Sequence, residues 1–198
     1  MRLCVYTFLL LVISTGYSQK FPSDLWHEGK IVLESGDTIK GNIKYDLQQD
    51  IIQFEKSGRL EPFTARKIVS FEIFDLTSKR YRQFYSLPYA TSSSYKAPIF
   101  FELLAEGKMT LLCREAIVLK SYSNSFNYYG SSSRPVLVYK FFLLRENGNI
   151  ESFFGKRTDL INLMGNKGSQ VEKYIKSNKL DLDDRYEFAQ IIAYYNSL

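Results

Sequence analysis

The sequence predicts an α+β fold: mainly an antiparallel β meander of about nine strands, closing into a sandwich or open barrel, with a C-terminal cluster of short α-helices packed on it. Three observations predict it. Apolar and polar residues alternate with period two from residue 28 to about residue 154, the pattern of half-buried strands. Short turn signals separate these runs, and no helical pattern of about 10–15 residues falls between them, so a parallel α/β sheet is not expected. After Gly155 the apolar spacing changes to i, i+3, i+4.

Ahead of the strands, residues 1–18 read as a secretory signal. Arg2 supplies the positive start, Leu3 to Ile13 the apolar run, and Gly16 and Ser18 the small residues before a cut at Gln19. The run is shorter than the roughly 20 residues that span a bilayer. Cys4 lies at the start of the run instead of standing at the cut, so no lipid anchor is expected there. The expected organisation is a signal at 1–18, a β-rich core at 19–155, and a helical segment at 156–198 packed on the same domain. The chain is expected to be exported through an inner membrane to the periplasm, cell surface or medium, with no transmembrane span after the cut.

The first hairpin joins residues 30–34 to 38–45 through Gly36-Asp37. Ile39, Ile43 and Tyr45 face one way; Lys40, Asn42 and Lys44 face the other. Residues 51–55, 69–74 and 79–85 read as further strands, with one helical turn over 63–67 capped by Thr64. Residues 99–104 and 108–114 flank Glu106-Gly107. Residues 136–144 and 150–154 flank Asn147-Gly148, the strongest short hairpin signal, because both central residues of a type I′ turn need positive φ. Residues 116–119 fit a strand or a helix. Leu160, Leu163 and Met164 open the helical segment, and Gly165 ends that turn. Ser169 with Glu172 reads as a capping box before Val171, Tyr174 and Ile175. Phe188, Ile191, Ile192 and Tyr195 form the last stripe, which needs a partner surface because helices this short are marginal alone.

Of the 198 residues, 45% are hydrophobic and 24% charged, which excludes a disordered tail, a coiled coil and a collagen. Removing Cys4 leaves Cys113, so no intrachain disulfide is expected; Cys113 reads as a buried small hydrophobe rather than a reactive thiol. His27 is the single histidine. It lies near Asp24 and Glu28, an acid–base set with no serine or cysteine motif beside it. Gly-x-Ser-x-Gly, a phosphate-binding loop, Gly-x-Gly-x-x-Gly and His-Glu-x-x-His are absent from the sequence. Asp181-Leu182-Asp183-Asp184 lacks the glycine a calcium loop needs and reads as a helix cap. No catalytic residue, cofactor or metal is therefore assigned. The net charge of +5 is spread along the chain. Its densest patch, Lys79-Arg80-Tyr81-Arg82, reads as a solvated strand face, and no nucleic-acid partner is expected. A membrane-spanning barrel is disfavoured because several runs fall short of the 9–11 residues a crossing strand needs.

Two uncharged stretches stand out, residues 86–95 and 121–133. Their Tyr, Ser, Asn and Gly content matches binding loops. In an antiparallel meander both enter from the same end of the sheet, provided that 116–119 adds no extra strand. Tyr89, Tyr95, Tyr122, Tyr128 and Tyr129 are the candidate ligand-binding residues. The expected function is that of a non-catalytic envelope protein binding a polysaccharide, a peptide or a protein. The alternative is a hydrolase of an envelope polymer using paired carboxylates about 5–9.5 Å apart.

The Gly-Asp-Thr-Ile-Lys-Gly hairpin at 36–41 and the Tyr194-Tyr195-Asn196 ending, behind a signal cut before a glutamine, resemble a family of uncharacterised exported proteins of Bacteroidetes-type bacteria. The resemblance implies a Gram-negative envelope protein and carries over no functional residue, since that family has no assigned activity. The exported protein should begin at Gln19. Intact-mass measurement checks this, and a species retaining Arg2 to Ser18 would overturn the export argument.

Overall fold

The computed structural model describes residues 20–90, 95–122 and 132–198. Residues 1–18, read above as a signal, and two of the candidate tyrosines, Tyr128 and Tyr129, lie outside the described residues. Ten strands form one antiparallel sheet: β1 His27–Leu33, β2 Thr38–Asp46, β3 Ile51–Lys56, β4 Arg59–Thr64, β5 Ile68–Asp75, β6 Arg80–Tyr89, β7 Ala97–Ala105, β8 Thr110–Tyr122, β9 Ser132–Leu144 and β10 Ile150–Phe153. Their order is β10-β9-β8-β7-β6-β5-β1-β2-β3-β4, so β1 lies between β5 and β2. Three helices follow: α1 Arg157–Leu163, α2 Gly168–Asn178 and α3 Arg185–Ser197.

The strand beyond the expected nine is β4. It reads weakly in the sequence because only Phe63 of its six residues is buried. The turn expected over 63–67 shrinks to a single 3₁₀ turn, Ala65–Lys67; Thr64 stands at its cap position but makes no side-chain capping bond.

That turn dictates the shape of the sheet. β4 and β5 are four strand spacings apart in the order, about 19 Å on a flat sheet. The chain from Thr64 to Ile68 can reach about 14 Å at most. The sheet must therefore curl until β4 approaches β5, like an open barrel. The curl is pinned where Ser86 Oγ donates to the Ala65 carbonyl (2.6 Å) and the Ala65 amide donates to the Asp50 carbonyl (3.1 Å). Its interior holds Ile31, Ile43, Ile52, Phe54, Phe63, Ile68, Phe71, Ile73, Phe84 and Phe100. Phe71 and Phe84 stack with centroids 4.4 Å apart, and Phe100 meets Phe71 edge-on at 5.2 Å.

The other half of the same face is covered by the helices. Leu111, Cys113, Phe141 and Leu143 pack with Leu160, Val171, Ile175, Phe188, Ile191, Ile192 and Tyr195 in a second core. A small third cluster, Ile99, Phe101, Leu112 and Phe142, lies on the opposite face. The C-terminal stripe is buried as expected, but Leu163 of the first helical turn points out and is 43% exposed. Ser169 does not cap α2. The helix starts two residues earlier than that cap would set it, at Gly168, out of a 3₁₀ turn at Gly165–Lys167, because Gly168 lets the backbone lie against the Ile161 carbonyl where a Cβ would stand 2.6 Å away. Glu172 instead pairs with Lys176 at 2.6 Å. Among the described residues no helix is long and apolar enough to cross a membrane.

The β9–β10 hairpin is not the two-residue type I′ turn. Gly148 has φ +79 but Asn147 is not in the positive-φ region. The Gly148 amide donates to the Arg145 carbonyl and the Arg145 amide to the Asn149 carbonyl, both 2.9 Å, which makes a three-residue loop. The Asn147 side chain accepts from the Asn149 amide at 3.0 Å, and this local bond favours the longer loop. Gly36 closes the β1–β2 hairpin in the same way.

Asn196, near the end of α3, locks the helices to the sheet. Its side chain accepts from the Met109 amide (2.9 Å) and donates to the Met109 and Glu106 carbonyls (2.8 and 3.2 Å), all in or beside the β7–β8 turn. Asn196→Ala leaves the Met109 amide without its partner and should cost about 1–3 kcal/mol, read by chemical denaturation. Removing everything after residue 178 strips Phe188, Ile191, Ile192 and Tyr195 from the second core and should abolish cooperative unfolding; a truncated chain that melts as sharply as the full one would show that the sheet folds alone.

Candidate functional site

At the boundary between the two larger cores the sheet buries charge. Arg82 on β6 is 2% exposed. Its guanidinium donates to Glu102 on β7 through Nε (2.8 Å) and Nη2 (2.7 Å), to Glu115 on β8 (2.7 Å) and to Asp75 on β5 (3.2 Å). Arg185, from the first turn of α3, reaches the same Glu102 and Glu115 carboxylates at 3.2 and 2.9 Å. The Tyr45 hydroxyl donates to Glu115 and accepts from Arg82, both at 2.8 Å. Three carboxylates and two guanidiniums thus form one ion-pair network across four strands and a helix.

Burial by itself would raise the Asp75 pKa. The Thr77 and Ser78 amides and the Arg82 charge outweigh it and hold this carboxyl below its ordinary 3.8. Burial pushes the Tyr45 phenol well above its ordinary 10.0, with Arg82 opposing and Glu115 reinforcing the shift. Burial also raises the Cys113 thiol, which sits in the second core, so this cysteine is a packing residue in its protonated form.

Beside this cluster the sheet splits. β8 pairs with β9 along its whole length, from Thr110↔Leu144 to Tyr122↔Ser132, but with β7 only through Leu111, Leu112 and Cys113. Beyond Cys113 the β8–β9 pair leaves the sheet as a two-stranded ribbon. At the fork, Phe100 of β7 loses its strand partner, and side chains replace it. The Phe100 amide donates to Asp50 Oδ1 (2.8 Å), and its carbonyl accepts from Arg114 Nη1 (2.5 Å). Arg114 also pairs with Asp50 at 2.7 Å and donates to the Leu47 carbonyl. The ribbon is thereby held off β7 and against the β2–β3 turn. Between ribbon and turn lies a cleft of about 430 Å³, lined by Lys44, Tyr45, Asp46, Leu47, Gln48, Gln49, Ile51 and Gln53 on one side, by Glu115, Ala116, Ile117 and Leu137 on the other, and by Ser23 and Asp24.

Residues 116–119 are strand, continuous with β8, and add no reversal. The β6–β7 and β8–β9 connections therefore leave from the same end of the sheet. Both are shorter than the uncharged stretches, because Ser86–Tyr89 extends β6 and pairs with β7, and Ser121-Tyr122 and Ser132-Ser133 belong to the ribbon. The candidate tyrosines meet different neighbours. Tyr89 is half-buried on the third cluster, edge-on to Phe101 (5.6 Å) and Phe142 (5.5 Å). Tyr95 is 65% exposed, and its hydroxyl accepts from Arg66 at 3.4 Å. Tyr122, on the ribbon, has Arg134 at 4.2 Å and Lys120 at 6.0 Å over its ring.

The other sequence candidates have structural partners. His27 is buried and donates through Nε2 to the Pro22 carbonyl (2.8 Å), while Asp24 accepts from the Phe21 amide (3.0 Å); the two do not form an acid–base pair. Asp184 caps α3 by accepting from the Tyr186 and Glu187 amides at 2.8 and 3.0 Å. Among the described residues no three His, Cys, Asp or Glu side chains group to hold a metal ion. The basic patch at 79–82 is not a solvated face throughout. Tyr81 is exposed, but Arg82 points inward on the side of Phe84 and is the centre of the buried cluster.

The sequence reading missed Arg82, Glu102, Glu115, Asp75 and Arg185. The available signal was a charge on an apolar parity, such as Glu102 inside Ile99-Phe100-Phe101-Glu102-Leu103-Leu104. Glu102 and Glu115 are the close carboxylate pair that a glycosidase would need, yet both guanidiniums bind them and their side chains are 2% and 3% exposed. Neither is open to a substrate. Comparison with known proteins gives no match: no family model, no curated protein and no solved structure is similar to this chain.

Arg82→Ala leaves three buried carboxylates facing one guanidinium and should cost about 3–5 kcal/mol in chemical denaturation. The pH dependence follows from the two shifts. Stability from Asp75 is complete above pH 3.8 and is lost as the pH falls through that value toward the lower folded pKa; stability from neutral Tyr45 is present below pH 10.0 and is lost as the pH rises beyond it. Melting temperature against pH should drop at both ends, and Tyr45→Phe should flatten the alkaline limb.

Proposed function

We propose that this chain is an exported, non-catalytic protein of the cell envelope that binds a glycan, peptide or protein partner at the end of the sheet where the ribbon projects. The ribbon is the observation that carries the reading. Two strands alone are marginal in water, yet β8 and β9 hold thirteen residue pairs, most of them beyond the body of the sheet. Along this arm Leu119 is 75% exposed and Val118 39%. Exposed apolar surface beside a cleft supports binding to another molecule. The sequence features of residues 1–18 support export. The sealed state of Glu102 and Glu115 supports a non-catalytic role over the hydrolase alternative.

The test is co-sedimentation of the full chain with insoluble envelope polysaccharide, with soluble fragments measured in parallel. Retention without fragment release is expected for a glycan partner, and Tyr95→Ala with Tyr122→Ala should reduce it while shifting stability by less than about 1 kcal/mol. Tyr89→Ala should instead destabilise by about 1–3 kcal/mol, since its ring packs on Phe101 and Phe142. Release of fragments would replace this reading with the hydrolase.

A further inference from the structure

The ribbon has two edges, and the strand registers say which backbone groups each presents. Phe100 directs both its amide and its carbonyl toward the β8 side, where Asp50 and Arg114 meet them. Glu102, two residues on, points the same way, and it stands opposite Cys113. In an antiparallel pair, opposite residues exchange both bonds or neither. Cys113 therefore points at β7 and away from its β9 partner, Phe141. The register of β8 with β9 runs without a shift to Tyr122. So Glu115, Ile117, Leu119 and Ser121 turn their amides and carbonyls away from β9, along an edge that β7 no longer covers. Among the described residues no backbone hydrogen bond reaches this edge.

The other edge of the ribbon is blunted. By the same register Pro135 of β9 faces outward and offers no donor there. The outermost strand at the far end of the sheet, β4, also carries a proline, Pro62. The β8 edge from Glu115 to Ser121 has no proline, and its first part borders the 430 Å³ cleft. Its charge is one-sided. Between Ala116 and Tyr122 and between Ser132 and Lys140 the charged residues are Lys120, Arg134 and Lys140, all basic. None of the three forms an ion pair with a carboxylate among the described residues. Across the cleft Lys44 lies among the carboxylates of Asp46, which accepts from the Gln48 and Gln49 amides, and Asp24, which accepts from the Phe21 amide, so the basic character belongs to the ribbon.

We propose that the free edge of β8 is a strand-addition site for an extended peptide segment with acidic side chains, a proposal that rests on the binding reading above and names its ligand. The segment pairs with Glu115, Ile117, Leu119 and Ser121 through its backbone. Every second side chain lies against the apolar wall of Ile117 and Leu137, and the acidic ones, on the opposite face, meet Lys120 and Arg134. Backbone pairing supplies affinity, and the alternating pockets and basic rim supply selectivity.

The test titrates the full chain with synthetic decapeptides in which valine alternates with glutamate. Saturable binding is expected, weakened at least about tenfold when lysine replaces glutamate and at least about tenfold when alternate amides are N-methylated. N-methylation removes edge hydrogen bonds and keeps every side chain. Leu119→Pro deletes an edge donor that does not point at β9, so it should weaken binding similarly with an unchanged circular dichroism spectrum. Lys120→Glu with Arg134→Glu leaves the backbone intact and should shift the preference toward the lysine peptide. Binding indifferent to N-methylation overturns the proposal, as does no binding by any peptide at about 1 mM. Capture by phosphatidylglycerol vesicles without peptide binding assigns the basic arm to a membrane surface and also overturns it. Polysaccharide retention that persists without peptide binding sinks the edge site alone. Peptide binding without polysaccharide retention supports the edge site and removes only the glycan part of the broader reading.

Discussion

The Arg82 guanidinium is the point at which the curled half of the sheet and the helix-covered half become one body. Its hydrogen bonds run to β5, β7 and β8, and it shares two of those carboxylates with Arg185 of α3. The elements meeting there come from both cores, and each contributes a polar group. Burying charge is unfavourable in itself, and such a cluster is weak support for high stability. What it supplies is alignment: Glu102 and Glu115 each accept from two guanidiniums, so a slip of α3 along β7 and β8 strands an unpaired charge. The Tyr45 hydroxyl adds β2 to the same network.

The fork between β7 and β8 follows from the same economy of polar groups. A sheet that loses a strand exposes amides and carbonyls that must find other partners. At Phe100 one Asp–Arg pair replaces both lost bonds. Asp50 can do so because the β2–β3 turn holds it at φ +54, beside the Leu47 carbonyl that also binds Arg114. The closure of the curl and the departure of the ribbon therefore share one ion pair. A cleft is left between them whose walls are set by the backbone and not by chance side-chain positions.

Much of the fold was legible in the alternation of apolar residues. The β1–β2 hairpin, the two strands flanking Gly107 and the stripe of Phe188, Ile191, Ile192 and Tyr195 all sit where their spacing puts them. The curl was not legible, because it depends on a strand with one buried residue and on the reach of three residues after it. The ends of β6 and β8 were misplaced for a related reason. Serine and tyrosine suit loops and strands alike, and only the paired strand decides. The buried charge was hidden by habit of class, since a run such as Lys79-Arg80-Tyr81-Arg82 suggests solvent until its parity is compared with Phe84. The candidate site was legible only as a place, the end of the sheet that carries the two connections; Tyr89 packs half-buried against Phe101 and Phe142, and the free edge of β8 is a property of register that no single residue announces.

The Asn196 latch has a consequence for how the chain comes into being. Arg185 and Asn196 are made after every strand they secure, and their partners lie some 70 to 90 positions earlier. A polypeptide emerges from its N-terminus at about 5–20 residues per second. For several seconds, then, every strand has been made while Glu102 and Glu115 still lack their second guanidinium and the β7–β8 turn its latch. Completion of the second core waits until α3 has been made. A chain built in this order stays loose until α3 arrives, because the second core and the buried charge cluster both lack a partner before then.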